Sequence, residues 1–203
     1  LNSWKPNNIE ATKGDTSLLH QLLDHIFNKQ KEYIDHFLDY WAYMVQHPGI
    51  KIRYGLILVT PHYQVGKGSI FRAMKLTIGK NNTREIDINQ AVDRSKTFLI
   101  DSQLCLIDET QSKGNFDEKK KLLNDLKRII TEDVINVREL YKEYREVETC
   151  TNYIIFSNNK DAVSLPANEV RYWVYISERP RMEQSFYDEY HQWLDNQGAN
   201  ERL

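Results

Sequence analysis

Residues 56–69 read LILVTPHYQVGKGS. The first four of them, with Tyr54 and Gly55, make a short apolar run typical of a buried strand, and residues 69–78 have the apolar spacing of a helix. A strand, a loop that ends in Gly-Lys and then a helix are the context in which proteins cradle phosphate groups. The stretch therefore predicts a phosphate-binding loop between a strand and a helix.

In such a loop the backbone N–H groups and the N-terminus of the following helix face the phosphates. Gly66 lets the backbone approach closely, and Lys67 would neutralise the β- and γ-phosphates of a nucleotide. The predicted nucleotide contacts are Gln64, Val65, Gly66, Lys67, Gly68 and Ser69.

The loop departs from the common signature at three positions. Pro61 stands at the first glycine, Gln64 stands where many such loops carry another glycine, and Gly68 replaces the Ser or Thr that binds Mg²⁺. Ser69 follows one residue late, and we predict that its hydroxyl is the metal ligand instead. On the motif alone, an ordinary loop that contains a lysine fits equally well.

Two further apolar runs end in polar groups. The run LCLIDE at 104–109 ends in Asp108 and Glu109, and the run YIIFSNN at 153–159 ends in two asparagines, the first of which is Asn158. We predict that Asp108 holds Mg²⁺, that Glu109 activates an attacking water, and that Asn158 orients this water or touches the γ-phosphate. A solvated strand end and an Asn-Asn turn are the plain alternatives.

Apolar runs that alternate with helical stretches predict an α/β domain with a mostly parallel sheet. The predicted strands are 54–60, 103–107, 151–157 and 171–177, with Phe98–Ile100 as a short strand or strand end and with 134–140 and 145–148 as a β-hairpin. The predicted organisation is an N-terminal arm and helical segment (1–50), a core (51–180) and a C-terminal helix (181–203) that packs on the outside.

Composition favours a globular domain without a general affinity for nucleic acid. Hydrophobic residues make up 40% and charged residues 28% of the 203 residues, and the net charge is −2, so any nucleic-acid surface must be local. Cys105 and Cys150 show no metal-ligand spacing and favour a reducing compartment. No apolar run approaches membrane-spanning length, so we expect a cytoplasmic location without a membrane partner. Because the chain begins at Leu1, we expect it to belong to a longer polypeptide.

The order of the motifs resembles that of the superfamily 3 helicases: Gly66-Lys67, Asp108-Glu109, Asn158-Asn159 and Arg171. Three short stretches are similar to the phage and plasmid primase-helicases in particular, namely GKGS at 66–69, IFSNN at 155–159 and RYWV at 171–174. The resemblance covers nearly the whole chain, and it rests on the order of short motifs.

The resemblance implies a P-loop NTPase of the AAA+/superfamily 3 type, with a five-stranded sheet in the order 5-1-4-3-2. It implies ATP and Mg²⁺ as ligands, and a homohexamer with ATP between neighbouring subunits. The implied activity is that of a DNA helicase, an ATPase motor on single-stranded DNA in phage or plasmid replication, which is fused to or works with a primase or polymerase.

The resemblance also assigns a catalytic role to Arg171, as an arginine finger that reaches a neighbouring subunit. Many relatives carry an acid followed by two arginines, whereas residues 169–171 contain only one. Arg179 and Arg181 are alternative fingers, and a structural salt bridge of Arg171 is a further alternative.

A DNA-gripping hairpin is implied between the acid pair and the asparagines, at 137–147. Three glutamates interleave with the basic residues of this hairpin, so a solvated hairpin is the alternative. The candidate DNA contacts are Arg138, Lys142 and Arg145 for backbone phosphates and Tyr141 or Tyr144 for stacking on bases.

Two other functions fit the sequence. The departures at Pro61, Gln64 and Gly68 fit a catalytically weak, nucleotide-binding ring that holds a primase or polymerase on DNA. A clamp or initiator protein that uses nucleotide binding as a switch is the third hypothesis.

Overall fold

A five-stranded parallel sheet forms the centre of the molecule. The computed structural model describes residues 13–87, 90–91, 95–108, 124, 126–139, 141–160, 165 and 168–198. The strands are β1 (Gly55–Val59), β2 (Thr83–Asp87), β3 (Leu104–Asp108), the hairpin strands β4 (Val134–Arg138) and β5 (Tyr144–Glu148), β6 (Asn152–Ser157) and β7 (Tyr172–Ile176).

The strands of the central sheet lie side by side in the order β2-β3-β6-β1-β7, and each neighbouring pair is parallel. Counted along the chain without the hairpin, this is the order 5-1-4-3-2, the one that the resemblance implies. Because all five strands run the same way, their carboxyl ends lie at one edge of the sheet.

Apolar side chains cover both faces of the sheet, as the continuous apolar runs predict. Alternation along β1 sends Leu56 and Leu58 into one core and Ile57 and Val59 into the other. The first core contains side chains of α1 (Ser17–Ile26), α2 (Lys31–Gln46), α3 (Lys67–Ile78) and α5 (Gln184–Trp193). The second contains side chains of α4, described at 126–131, and of the hairpin.

The predicted strands and helices agree with this arrangement, apart from two differences. Phe98–Ile100 is not a strand, because residues 97–99 form a short 3₁₀ turn. The edge strand β2 was not predicted at all, because three of its five residues are charged. Only Thr83 and Ile86 of β2 are buried, one on each face of the sheet, which leaves no continuous apolar run to recognise. Within the described part of the chain, no helix is long and apolar enough to cross a membrane.

The turn from β1 into α3 requires glycine at position 66. Gly66 precedes the first helical residue and has a φ of 111°, a conformation that side chains with a Cβ rarely adopt. An added Cβ would lie 2.7 Å from Leu22 Cδ1 and 3.4 Å from Tyr187 Cε1. The close contact of α1 and α5 with this turn therefore depends on the missing side chain.

We expect Gly66→Ala to lower the free energy of unfolding by about 1–3 kcal/mol, through backbone strain and the clash with Leu22. Gly68→Ala is the matched control, because nothing lies within 4 Å of its added Cβ. In a helix this second change is expected to be neutral or to stabilise by up to about 1 kcal/mol. Urea denaturation measures both variants, and equal stabilities would contradict the assignment.

Candidate functional site

The loop between β1 and α3 lies at the carboxyl edge of the sheet and is folded back on itself. Gln64 has a left-handed φ of 59°, and Gly66 follows in the same region of φ. The Thr60 hydroxyl donates to the carbonyl oxygen of His62 at 3.1 Å, which fixes the start of the loop. This geometry puts Lys67 in the first turn of α3, with the helix N-terminus open to the loop.

The Lys67 side chain joins the loop to the end of β6. Its ammonium donates to the Ser157 carbonyl oxygen at 2.9 Å and to Asn158 Oδ1 at 2.5 Å. Asn158 Oδ1 also lies 3.5 Å from the Thr60 hydroxyl. Two residues predicted from separate motifs, 91 positions apart, thus contact each other directly.

Asp108 ends β3, the neighbour of β6, and is paired in register with Phe156. Its carboxylate is partly buried and lines a cavity of about 250 Å³ together with Lys67 and Gly68. Glu85 of β2 lines the same cavity. The predicted lysine, acid and amide are therefore adjacent at one edge of the sheet, while Glu109 lies outside the described residues.

A larger cavity of about 700 Å³ lies on the other side of Lys67. Residues 63–69 and Asn158 form one side of it. The C-terminal segment forms the other side through Arg181, Gln184, Tyr187 and His191. The C-terminal helix therefore does more than cover the outside of the domain, because it supplies one wall of a cavity at the loop between β1 and α3.

Ser69 and Asp108, the two predicted metal ligands, do not line the same cavity. Ser69 lines the larger cavity, where its hydroxyl lies 3.3 Å from His191 Nε2, and its carbonyl oxygen accepts from Tyr190. The reason is helical geometry, since one residue along a helix rotates a side chain by about 100°. A hydroxyl at position 69 therefore points away from the side of α3 that faces Asp108.

Asp108 by itself fits the way proteins bind Mg²⁺, which commonly takes one or two carboxylates and fills its remaining positions with phosphate oxygens and water. Gly68 lines both cavities, and the space beside it is open. Room for a metal ion with its phosphate ligands thus exists beside Asp108.

Arg171 lies at the opposite edge of the sheet. Its carbonyl oxygen accepts from the Gly55 N–H at 2.9 Å, at the amino end of β1, so the length of a five-residue strand, roughly 16 Å, separates it from the loop. Its guanidinium contacts Glu169 at 2.8 Å, and Lys127 contacts the same carboxylate at 2.8 Å. Within one chain Arg171 does not reach the site, and it takes part in a salt bridge.

The four predicted DNA contacts lie on or beside the β4–β5 hairpin. The Tyr141 side chain at its tip is 95% exposed. Lys142 and Arg145 both contact Glu139, at 2.5 and 2.8 Å, and Arg138 covers the Tyr144 ring at 5.4 Å. The hydrogen bond from Lys142 lowers the pKa of the Glu139 carboxyl. The hairpin is thus a solvated, ion-paired projection with an exposed aromatic ring at its end.

Four residues that line the larger cavity were not predicted: Tyr63 of the loop, and Gln184, Tyr187 and His191 of α5. Arg181 was considered only as an alternative finger. The spacing of Gln184, Tyr187 and His191 places them on one face of a helix, and this spacing is visible in the sequence. The sequence gives no indication that this helix lies beside the loop between β1 and α3.

Comparisons with known proteins give a family and a fold. The sequence model of a family described as "Family of unknown function (DUF5906)" matches residues 59–171, more than half of the chain. No curated protein matches the sequence.

Two solved structures of the apo NrS-1 C-terminal region are similar in fold, with TM-scores of 0.80 and 0.77. Each is 17% identical in sequence, covers 93% of this chain and has 47% or 46% of its own length covered. The chain thus spans about half the length of these solved chains. At this identity the likeness shows the shared fold.

We expect Glu169→Gln to destabilise the protein in a pH-dependent way. Burial raises the pKa of the Glu169 carboxyl, but hydrogen bonds from Lys127 and Arg171 outweigh burial and lower the pKa from 4.5 to about 2. The ionised carboxylate therefore stabilises the fold above about pH 4.5, and this stabilisation is lost as the pH falls towards 2.

At pH 7 the loss on substitution is about 2–3 kcal/mol. Urea denaturation of both proteins at pH 7 and pH 3 tests this, because the gap between them should shrink at the lower pH. A gap that is the same at both pH values would contradict the ion-pair role.

Proposed function

The chain belongs to the DUF5906 family, a family of unknown function, and from the geometry of its site we propose that it binds and hydrolyses ATP in the presence of Mg²⁺ in order to move along single-stranded DNA. The proposal takes the domain to be a P-loop NTPase of the superfamily 3 type. Its role is that of a replicative DNA helicase, of the kind found in phages and plasmids.

One observation carries this proposal: the Lys67 ammonium contacts Asn158 Oδ1 and the Ser157 carbonyl oxygen at the carboxyl edge of the sheet. A lysine in the first turn of a helix, after a glycine turn, is where a triphosphate finds both backbone donors and a positive charge. The same ammonium adjoins the cavity that Asp108 lines. Lysine, amide and carboxylate are the groups that an NTPase brings to the γ-phosphate.

Each residue has a separate task in the proposed reaction. Lys67 leaves the Asn158 amide when a nucleotide binds and neutralises charge on the β- and γ-phosphates, which frees Asn158 to orient the attacking water. Glu109 accepts a proton from that water. Mg²⁺, when bound beside Asp108, supplies further positive charge against the phosphate oxygens. Ser69 is a weaker candidate ligand for it, because its hydroxyl contacts His191.

Single-stranded DNA is the proposed partner of the hairpin. Tyr141 offers an exposed ring on which a base can stack, and such stacking contributes about 1–3 kcal/mol per base. Lys142 and Arg145 lie beside it and can exchange Glu139 for a backbone phosphate. The overall charge of −2 makes this local arrangement necessary.

Assembly into a homohexamer is the proposed context in which Arg171 takes part in catalysis. Its side chain is 41% exposed although it contacts Glu169, so it remains accessible to a neighbouring subunit. Arg181 already lines the larger cavity of its own chain. A primase or polymerase, fused or associated, is the proposed further partner.

A second candidate is a nucleotide-binding ring that hydrolyses poorly and holds a primase or polymerase on DNA. The contact between the Ser69 hydroxyl and His191 favours it, because this contact removes the hydroxyl from the side of Asp108. Hydrolysis stimulated by single-stranded DNA supports the motor. Ring assembly and replication that persist in Lys67→Ala support the scaffold.

We expect Lys67→Ala to weaken nucleotide binding and to abolish hydrolysis, because it removes the positive charge that lies beside Asn158 and the cavity of Asp108. Phosphate release and equilibrium binding of ATP with Mg²⁺ measure the two effects.

Glu109→Gln is the contrasting variant, since it should keep ATP binding and lose hydrolysis. Unchanged turnover in Lys67→Ala would remove the phosphate-loop assignment, and a loss of ATP affinity in Glu109→Gln as severe as in Lys67→Ala would remove Glu109 as water activator.

We expect Lys142→Ala to weaken binding of single-stranded DNA and to reduce the slope of log affinity against log salt by about 0.7, the value for one lost phosphate contact on a single strand. Fluorescence anisotropy at several salt concentrations measures both. Lys31→Ala is the matched control, because Lys31 is an exposed lysine paired with Asp35 on α2. Equal affinities for the two variants would rule out the hairpin as the DNA contact.

A further inference from the structure

The larger cavity is lined by residues outside the loop as well as by the loop itself, and it has room for more than a triphosphate. Its volume of about 700 Å³ lies within the range of roughly 300–1,000 Å³ found for pockets that enclose whole small molecules. If residues 64–69 hold a triphosphate, as the proposed function has it, the rest of the molecule must lie against the remaining walls. Those walls belong to the C-terminal segment, to Tyr63 and to Asn158.

The helix α5 divides its residues between the core and this cavity. Phe186, Tyr187 and Tyr190 are buried in the core, and Tyr187 also lines the cavity. Gln184, Tyr187 and His191 line the cavity, and their spacing of three and four residues puts them on one face of the helix. The cavity face of α5 is thus built from planar side chains.

Arg181 lies over the Tyr187 ring, with its guanidinium carbon 5.7 Å from the ring centroid. Its position is fixed from both sides. Arg181 donates to the Gln184 side-chain oxygen, and the Gln184 amide donates to Asp188 at 2.7 Å. The Tyr187 hydroxyl accepts from the Met182 N–H at 3.3 Å, which holds the ring beneath. The guanidinium is therefore held over the Tyr187 ring by these hydrogen bonds.

This stack has an open side. Arg181 is exposed, and no acidic side chain of the described residues makes a salt bridge with it. On the loop side of the same cavity, Tyr63 is 73% exposed. Planar groups that line a pocket from two sides are suited to a planar ligand group, and nucleobases stack on both aromatic rings and guanidinium planes.

We propose that Arg181, supported by Tyr187 and Gln184, is the platform on which the nucleobase of the bound nucleotide stacks, with Tyr63 on the loop side of the same pocket. This inference rests on the proposed function, since it assigns the base end of the nucleotide whose phosphates Lys67 holds. It makes the C-terminal segment a specificity element of the site. The platform distinguishes a nucleotide from a bare chain of phosphates.

The test compares two ligands on the whole chain: ATP and inorganic tripolyphosphate, each with Mg²⁺, titrated by calorimetry. Three variants are used. Arg181→Ala removes the platform, and Arg181→Lys keeps the charge but removes the plane. Arg128→Ala is the matched control, because Arg128 is an exposed arginine of α4 that does not line the cavity. Thermal melting verifies that each variant is folded.

Stacking on one base predicts that Arg181→Ala and Arg181→Lys bind ATP about tenfold more weakly and bind tripolyphosphate as tightly as the unaltered chain does. Arg128→Ala is expected to bind both ligands like the unaltered chain. The proposal is overturned if Arg181→Ala weakens both ligands equally, which assigns Arg181 to the phosphates, or weakens neither. Full recovery of ATP affinity in Arg181→Lys also overturns it, because charge alone then suffices.

These measurements distinguish failure of the nucleotide site from failure of the base platform alone. If the unaltered chain binds neither ligand, the nucleotide site itself is wrong, and the base platform with it. If the unaltered chain binds tripolyphosphate as tightly as ATP, and Lys67→Ala loses both, the phosphate site stands and only the platform is wrong.

Discussion

The site depends on the hydrogen bonds that the Lys67 ammonium donates to the Ser157 carbonyl oxygen and to Asn158 Oδ1. Lys67 connects the first turn of α3 to the end of β6, and it does so in the region where the Asp108 carboxylate also lies. A parallel sheet makes this possible, because every strand ends at the same edge. Residues from three separate stretches of sequence thereby become neighbours, since β6 pairs with both β1 and β3.

The sequence predicts the parts of the fold that are governed by burial. Strands β1, β3 and β6 are fully apolar over most of their length because helices cover both faces of the sheet, and such runs are easily recognised. The edge strand β2 escapes recognition because three of its five residues are charged, and such a run resembles a loop. The other edge strand, β7, was predicted because its residues YWVYI are all apolar or aromatic. The charged residues of β2, and not its edge position alone, therefore hide it from recognition.

The site was predictable where a motif fixes local geometry and was not where helices meet. Gly66 and Lys67 could be predicted from the local sequence. The turn into α3 has a positive φ that favours glycine at position 66, and Lys67 is then the first residue of the helix. The contact of His191 with the Ser69 hydroxyl depends on how α5 returns to the loop, and the sequence does not encode this in any local pattern. For Arg171 the motif was misleading within one chain. The motif order suggested a role at the site, but Arg171 precedes β7 and therefore lies at the amino end of the sheet, opposite the site.

The most direct test of the account is a crystal structure of the chain with a non-hydrolysable ATP analogue and Mg²⁺. The account predicts phosphate oxygens within hydrogen-bonding distance of the backbone N–H groups of residues 66–69 and of Lys67 Nζ, with the ammonium moved away from Asn158. A nucleotide bound elsewhere on the molecule, with Lys67 still joined to Ser157 and Asn158, would contradict it.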